Sequence, residues 1–342
     1  MHCYGGSSSV HVDRWLSLAV QQHLEELDLH IEPKKIGSLS FFYCIPSIYY
    51  RIPSLTVLKL CRLRLDDEVF HNLILGCPSL EKLVLRDCTG FCDLKVSSLN
   101  LKSFELIGPF CVGSILVEAV NLQSIVFDTC GFCQLNIVSC KNVRNLTLND
   151  LVDIPSVEDV ISELPILASL TLVDFDIEFI ENQYLKDLVL KRTIIEDDAD
   201  EWNFLMEITV DTPNLVSFHF EDVNCTFKVF LNAPNLEEAI IKLDYDGVRK
   251  KIDMNWYVGM IDFLSYFDCS KVVSLYVYSE EYLMFPEKLR KFCRSPLPNV
   301  KHLKVETRCE LKSESLLREA LLWLSPHTQT LSITSEGNKA RS

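Results

Sequence analysis

Large apolar residues recur along the chain in short segments of the type Leu-x-x-Leu-x-Leu. The central apolar residues of four segments, Leu83, Phe104, Ile125 and Leu146, are each 21 positions apart. A period in the twenties with this spacing is typical of a leucine-rich repeat solenoid, in which every repeat contributes one short parallel strand. The first, fourth and sixth residues of each segment then face the core, and the residues between them face solvent. The pattern predicts a protein that works through an extended surface rather than through an enclosed pocket.

Thirteen segments carry this pattern. They cover residues 24–29, 55–60, 80–85, 101–106, 122–127, 143–148, 167–172, 185–190, 215–220, 236–241, 272–277, 300–305 and 328–333. Because each strand is buried only against its neighbours, we predict one solenoid of about 13 repeats over residues 11–334. Residues 1–10 and 335–342 are predicted to be disordered. The longest steps are 30 residues, from Leu188 to Phe218, and 36 residues, from Ala239 to Leu275.

Repeats of 21 residues are too short for a strand, a full helix and two loops, since two helical turns alone take about seven residues. Apolar and polar residues alternate over 91–96, 132–137 and 225–229, which predicts strands on the return side of these repeats.

Longer repeats leave room for helices. Start and stop signals predict helices that begin after Asp66, Ser156 and Ser313, and a fourth is predicted over residues 256–267. The predicted fold is therefore an α/β leucine-rich repeat solenoid, a curved parallel sheet with helices and strands mixed on its convex side.

The composition narrows the class of partner. Apolar residues make up 48% of the 342 residues, and the formal net charge is −15. This charge opposes non-specific binding to nucleic acid and to anionic membranes and favours a soluble protein whose partners are proteins or small molecules. The N-terminus lacks the basic region and apolar core of a secretory signal, so the 14 cysteines are expected to be reduced thiols in a cytoplasmic or nuclear protein.

Two groups of residues suggest a metal site but have the wrong arrangement. Cys88, Cys92, Cys130 and Cys133 fall on repeats two steps apart, roughly 10 Å along the stack, which is too far for bonds of about 2.3 Å to one zinc ion. The acidic run 196–201 lacks the glycine and the ligand order of a calcium loop. No catalytic motif or glycine-rich phosphate loop occurs, and we therefore expect no enzyme, no metal and no cofactor.

Three stretches of the sequence resemble a known plant family. They are the segment from His11 through Val12-Asp13-Arg14-Trp15 to Leu29, the run Tyr43-Cys-Ile-Pro46 with Ser54-Leu-Thr-Val-Leu58-Lys-Leu60, and Gly76-Cys-Pro-Ser-Leu80-Glu-Lys-Leu83. They are similar to the start of the repeat region in plant F-box/leucine-rich-repeat proteins. The resemblance covers about residues 11–333. The F-box of that family would precede His11, where this sequence has ten residues, so the F-box itself is missing from the resemblance.

The resemblance implies a receptor role. Members of the family that carry an F-box act as substrate receptors of cullin-based ubiquitin ligases: the F-box binds a Skp-type adaptor, and the repeats hold the target. We expect an adaptor here only if an F-box is present in the intact product.

The solvent-facing positions of the predicted strands are the candidate contacts on the concave face. They are Glu81, Lys82, Lys102, Glu105, Gln123, Arg144, Asn145, Lys186 and Asp187. The leading interpretation is a non-catalytic solenoid that binds a protein target through this face. The alternatives are a scaffold or competitor without a ligase link and, from another class, a small-molecule receptor.

Overall fold

The computed structural model of the chain describes residues 2–3, 13–14, 16–18, 23–31, 34–36, 39–41, 43–46, 51–108, 113–128, 134–149, 157–174, 177–193, 207–222, 229–243 and 252–336. The chain divides into two compact units, Met1–Leu167 (unit 1) and Ala168–Ser342 (unit 2). Several predictions concern other residues and lie outside the described ones: Cys130, Cys133, the acidic run 196–201, the helix start at Ser156, and most of the two predicted disordered ends.

Unit 1 is built on a main sheet of parallel strands. In spatial order they are β1 (His2–Cys3), β2 (Glu26–His30), β6 (Val57–Cys61), β8 (Lys82–Arg86), β10 (Ser103–Ile107), β12 (Ser124–Asp128) and β14 (Asn145–Asn149). Leu58, Leu83, Phe104, Ile125 and Leu146 lie side by side in the register of these strands. All five are at most 1% exposed. The regularly spaced apolar residues therefore do form one shared core, as the period predicts.

The return side of unit 1 is partly extended and partly helical. β9 (Asp93–Ser97), β11 (Ser114–Glu118) and β13 (Gln134–Asn136) form a parallel sheet with β11 in the middle. Two helices, α1 (Asp67–Gly76) and α2 (Val157–Ser162), occupy the longer repeats. Four short strands complete the unit: β3 (Lys34–Ile36) pairs with β4 (Leu39–Phe41), and β5 (Tyr43–Cys44) pairs with β7 (Leu63–Arg64).

The capping signals identify two helix starts correctly. The carboxylate of Asp66 accepts a hydrogen bond from the Val69 amide at 2.8 Å, which satisfies one of the free N–H groups at the start of α1. Phe70, Leu73 and Ile74 are the buried residues of this helix. The Ser313 hydroxyl accepts from the Leu316 amide in the same way at the start of the last helix.

Unit 2 repeats the same plan. Its main sheet is parallel and contains β15 (Ser169–Val173), β17 (Asp187–Arg192), β19 (Ser217–Asp222), β21 (Glu238–Leu243), β22 (Val272–Val277), β23 (His302–Thr307) and β24 (Thr330–Ser335). On the return side, β16 (Phe179–Glu181), β18 (Ile208–Asp211) and β20 (Val229–Asn232) form a parallel sheet. Helices α3 (Met254–Ser265), α4 (Glu287–Phe292) and α5 (Glu314–Leu324) follow, with a 3-10 turn at Glu280–Leu283. The predicted α/β leucine-rich repeat fold is confirmed.

The sequence pattern predicts the wrong set of inward-facing residues for one strand, β22. The sequence pattern places Val272 and Leu275 at the first and fourth positions of their segment, but Ala239 pairs with Val273, so this step is 34 residues and not 36. Val272 faces outward, whereas Val273 is fully buried. The first position is taken by Ser270, a buried serine whose hydroxyl oxygen has no hydrogen-bond partner among the described residues. Because a serine occupies this normally apolar first position, the apolar pattern in the sequence starts two residues later than the segment does in the structure.

Asparagine side chains link successive repeats in both units, and the sequence pattern did not reveal this. Each amide donates to a backbone carbonyl of the preceding repeat, at 2.7 to 2.9 Å. The pairs are Asn100 with Pro78, Asn121 with Leu99, Asn142 with Val120, Asn214 with Gln183 and Asn235 with Pro213. We call these side chains the asparagine rungs. They satisfy carbonyl groups that the turn before each strand leaves without a backbone partner.

Candidate protein-interaction surface

The candidate surface is the solvent-facing side of each main sheet, which we call the ladder face. Along each strand every second residue points out of the core, because side chains alternate between the two faces of a sheet. In β10, for example, Phe104 and Leu106 are buried, while Ser103, Glu105 and Ile107 are partly exposed. Parallel pairing without a register shift then lines up equivalent positions of neighbouring repeats in rows.

Four of the predicted contact residues form one row of unit 1. Glu81, Lys102, Gln123 and Arg144 directly precede their strands and are exposed. The amide of Lys102 donates to the carbonyl of Glu81 at 2.7 Å, and the same bond continues from Gln123 to Lys102 and from Arg144 to Gln123. The structure therefore places these four side chains in consecutive repeats at the amino end of the sheet.

The other unit 1 candidates fill the next two rows. Lys82 and Asn145 belong to the row that contains Ser103 and Ser124. Glu105 lies one row further along the strands, between Val84 and Val126. Three of the seven unit 1 candidates thus lie in the strand rows of the ladder face, and the other four form the row at its amino end.

Three ion pairs join opposite charges on this face. The Lys82 ammonium lies 2.6 Å from the Glu105 carboxylate, and Lys102 lies 2.8 Å from Glu81. Lys59 pairs with Glu26 at 2.9 Å, and the pKa of Lys59 is raised by that hydrogen bond. Exposed pairs of this kind contribute about 0–1 kcal/mol to stability. Their consequence for binding is that a partner meets paired charges of both signs and not a single-sign patch.

Apolar residues also occupy the ladder face, and the sequence analysis missed them. Val84 is buried although it points outward, Val126 is partly exposed on the other side of Glu105, and Ile107 is partly exposed one row further along β10. The signal was present in the middle residue of the triplets Leu83-Val84-Leu85 and Ile125-Val126-Phe127, where most repeats have a polar residue. Apolar residues next to polar and charged ones are the usual composition of a protein-binding patch.

Lys186 and Asp187 belong to unit 2. The carbonyl of Lys186 accepts hydrogen bonds from the amides of Val216 and Ser217, and Asp187 pairs with Ser217 in the strand register. Both side chains are exposed at the amino end of the unit 2 ladder face. They are therefore on the predicted side of their own sheet.

The centre of the unit 2 ladder face holds a cluster of charged groups. Glu221 lies 2.6 Å from Lys242 and 3.7 Å from Lys191, and the His219 ring nitrogen Nε2 lies 3.9 Å from its carboxylate. Burial would raise the pKa of Glu221, but the hydrogen bond with Lys242 and the charges of both lysines outweigh it, so the pKa is lowered. Burial and the charge of Lys191 lower the pKa of His219, which favours the neutral ring.

A small hollow opens at the carboxyl end of the same face. Its volume is about 290 Å³, and it is lined by Lys242, Tyr276, Val277, Glu306, Arg308 and Glu336. The guanidinium of Arg308 lies 6.0 Å from the centre of the Tyr278 ring. Two basic and two acidic groups border the hollow, so its charge does not favour a strongly anionic small molecule.

Cys88 has a structural environment. Its thiol is fully buried and lies 3.5 Å from the carbonyls of Leu60 and Arg86. Burial raises the pKa of this thiol to about 12. Cys92, by contrast, is exposed. Within the described ranges no group of three or more His, Cys, Asp or Glu side chains is arranged to hold a metal ion, and no helix is long and apolar enough to span a membrane.

The repeats match those of plant proteins. Residues 12–150 match the family model described as the LRR repeats of FBD-associated F-box protein At5g56370. F-box/LRR-repeat protein At3g26922 of Arabidopsis thaliana is 27% identical over 217 residues, which is 55% of this chain and 69% of that protein. F-box protein At5g03100 of the same plant is 30% identical over 113 residues, 28% of this chain and 37% of the relative.

The name of a third relative also includes an F-box and leucine-rich repeats. F-box/FBD/LRR-repeat protein At2g26030 of Arabidopsis thaliana is 29% identical over 118 residues, 31% of this chain and 26% of that protein. The chain thus spans about two thirds of the first relative and between a quarter and two fifths of the other two. The resemblance to plant F-box/leucine-rich-repeat proteins, which the N-terminal segment suggests, is confirmed.

Proposed function

We propose that this chain, whose repeats resemble those of plant F-box/LRR proteins, is the target-binding region of an F-box-type ubiquitin-ligase receptor and that it acts in the cytoplasm or nucleus. The observation that carries the proposal is the match of residues 12–150 to the repeats of an F-box protein, together with relatives named as F-box proteins. In this role the chain is non-catalytic: it binds a protein target, and other subunits carry out ubiquitin transfer.

The ladder face of unit 1 is the proposed target site. Val84 and Val126 flank Glu105 in the middle of this face and supply apolar contacts, and the ion-paired charges around them supply polar ones. In such interfaces a few central residues carry most of the binding energy, and rim charges mainly affect the association rate. We therefore expect the central residues to matter more than Glu81, Lys102, Gln123, Arg144 or Asn145.

Affinity capture with a matched control tests the target site. The double variant Glu105→Arg with Val126→Arg alters the ladder face, and the control Lys95→Glu alters an exposed charge on the return strand β9. We expect quantitative mass spectrometry of plant extracts to show proteins retained by the wild type and the control but lost with the double variant. Equal retention by all three forms would contradict the assignment of the ladder face.

The ligase link requires a separate measurement on the intact gene product. A Skp-type adaptor that co-purifies with it, and a captured target whose half-life shortens when the product is overexpressed, are the expected results. Target capture without an adaptor and without a change in half-life would instead support the alternative of a scaffold or competitor.

A further inference from the structure

The return sheet of unit 1 ends at β9 on one side and at β13 on the other, and among the described residues only the β9 edge has a closely packed cover. At the β9 edge, helix α1 packs against the strand, and the Phe70 and Phe91 rings meet edge to face at 5.4 Å. The Asp67 carboxylate accepts hydrogen bonds from the amides of Cys92 and Asp93 at 3.0 and 3.3 Å. This edge thus has its own cover, as natural proteins usually provide for exposed strands.

A groove lies beside β13. The groove has a volume of about 760 Å³ and lies between β11 and β13 on one side and α2 on the other. Among its described lining residues are Leu135, Val138, Asp159, Val160 and Glu163. In the part of the chain that the structure describes, β13 pairs with β11 alone.

The backbone direction at β13 can be read from one hydrogen bond. The Gln134 amide donates to the Gly113 carbonyl at 3.1 Å, so the backbone groups of Gln134 face β11. Successive residues of a strand point their backbone groups to opposite edges, so those of Leu135 face the groove. A strand edge of this kind, next to an open groove, is the arrangement used to bind extended peptides by strand addition.

The groove wall indicates the chemistry of the peptide. Asp159 and Glu163 place carboxylates on the α2 side, and none of the described lining residues is lysine or arginine. Lys141, which is outside the lining, pairs with Glu163. Val138, about half exposed at the end of β13, offers an apolar contact. Charge complementarity therefore favours a peptide with a basic side chain next to apolar ones.

We propose that the groove between β13 and α2 binds an extended, basic segment of a partner protein, which adds as a strand to the edge of β13 that points away from β11. The site is on the return side of unit 1, away from the ladder face, and the proposal does not depend on the ligase role. It gives the chain a second protein-binding surface.

The first test uses the full chain without any ligand. Amide exchange followed by NMR should show the Leu135 N–H exchanging quickly, whereas the Asp93 N–H at the closed β9 edge should be protected. Protection of Leu135 equal to that of the central β11 amides would mean that the edge is already covered, and it would overturn the proposal.

The second test adds a defined probe, the acetylated and amidated peptide Thr-Val-Lys-Val-Thr-Val. We expect saturable shifts of the Leu135 and Ile137 amides, loss of these shifts when alternate peptide nitrogens are methylated, and at least threefold weaker binding when Glu replaces Lys. The absence of saturable shifts up to millimolar peptide, or shifts confined to the ladder face, would refute it.

A charge reversal completes the design. Asp159→Lys should invert the preference and bind the Glu peptide more tightly than the Lys peptide, and this gain cannot result from misfolding. The matched control is Glu68→Lys on α1, beside the closed edge, which should leave the preference unchanged. An unchanged preference in Asp159→Lys would show that the groove does not select the peptide.

Discussion

Replacing Phe104 by alanine tests whether the repeats share one core. The Phe104 ring is completely buried on β10 and meets the Phe127 ring edge to face, with centroids 5.7 Å apart and planes at 86°. A buried Phe→Ala change costs about 3–5 kcal/mol because it removes apolar contacts and leaves a cavity. The aromatic pair accounts for about 0.5–1.5 kcal/mol of this, which a double-mutant cycle with Phe127→Ala should recover as a coupling energy.

Hydrogen exchange with mass spectrometry measures both the size and the location of this loss. Each repeat of a solenoid contacts only its neighbours, so we expect protection to fall over β8, β10 and β12 and to fall less at β2. The control Ser103→Ala changes the adjacent, partly exposed residue and should alter stability by no more than about 0.5 kcal/mol. A Phe104→Ala cost below about 1 kcal/mol, or a loss at β2 as large as at β8, would refute a core shared by neighbouring repeats.

Three further predictions concern single sites. Burial raises the pKa of the Cys88 thiol to about 12, so very little reactive thiolate forms there at pH 8. Iodoacetamide labelling followed by mass spectrometry should therefore modify the exposed Cys92 at least about 100-fold faster than Cys88, and comparable rates would contradict the burial of Cys88. Glu221 favours and Lys191 opposes the charged form of His219, so NMR titration should show a lower His219 pKa in Glu221→Gln and a higher one in Lys191→Met. In the wild type, the contribution of His219 to stability should decline as the pH falls below about 6.5. Opposite pKa shifts in the two variants would show that these charges do not act on the ring. Gly108→Ala should lower the free energy of unfolding by more than about 1 kcal/mol, because the φ angle of Gly108 is +114° and the new Cβ would lie 2.3 Å from the Asp87 carboxylate. In the control Gly113→Ala, the new Cβ would meet no atom closer than 3.4 Å. Equal melting curves of the two variants by circular dichroism would contradict this prediction.

The fold was readable from the sequence because the inward-facing residues are almost all large and apolar. All thirteen predicted segments contain a main-sheet strand, but most strands begin two residues later than the pattern suggests. Leu80 shows the reason: it is fully buried, yet it lies in the turn before β8, where its amide donates to the Cys77 carbonyl. The buried residues of each repeat therefore begin before the paired strand does. A hydrophobic pattern in the sequence indicates which residues are buried and not where strand pairing starts.

The candidate surface was less predictable, because it depends on which side chains meet. The alternation along β8 and β10 correctly placed Lys82 and Glu105 on the ladder face. It could not show that they form an ion pair, because they are 23 residues apart and belong to different repeats. Val84 was missed for a related reason, since an apolar residue at an outward position looks in sequence like part of the core. Whether the nine predicted residues bind a target stays a prediction.

The asparagine rungs have a consequence for how the chain is made. Asn100, Asn121 and Asn142 each reach back to a carbonyl 22 residues earlier, so the acceptor has always left the ribosome before its donor. A newly synthesised repeat can therefore form this hydrogen bond with the repeat before it, and no later part of the sequence is needed. The repeats can therefore fold one after another from the amino terminus, in the order in which they emerge during synthesis.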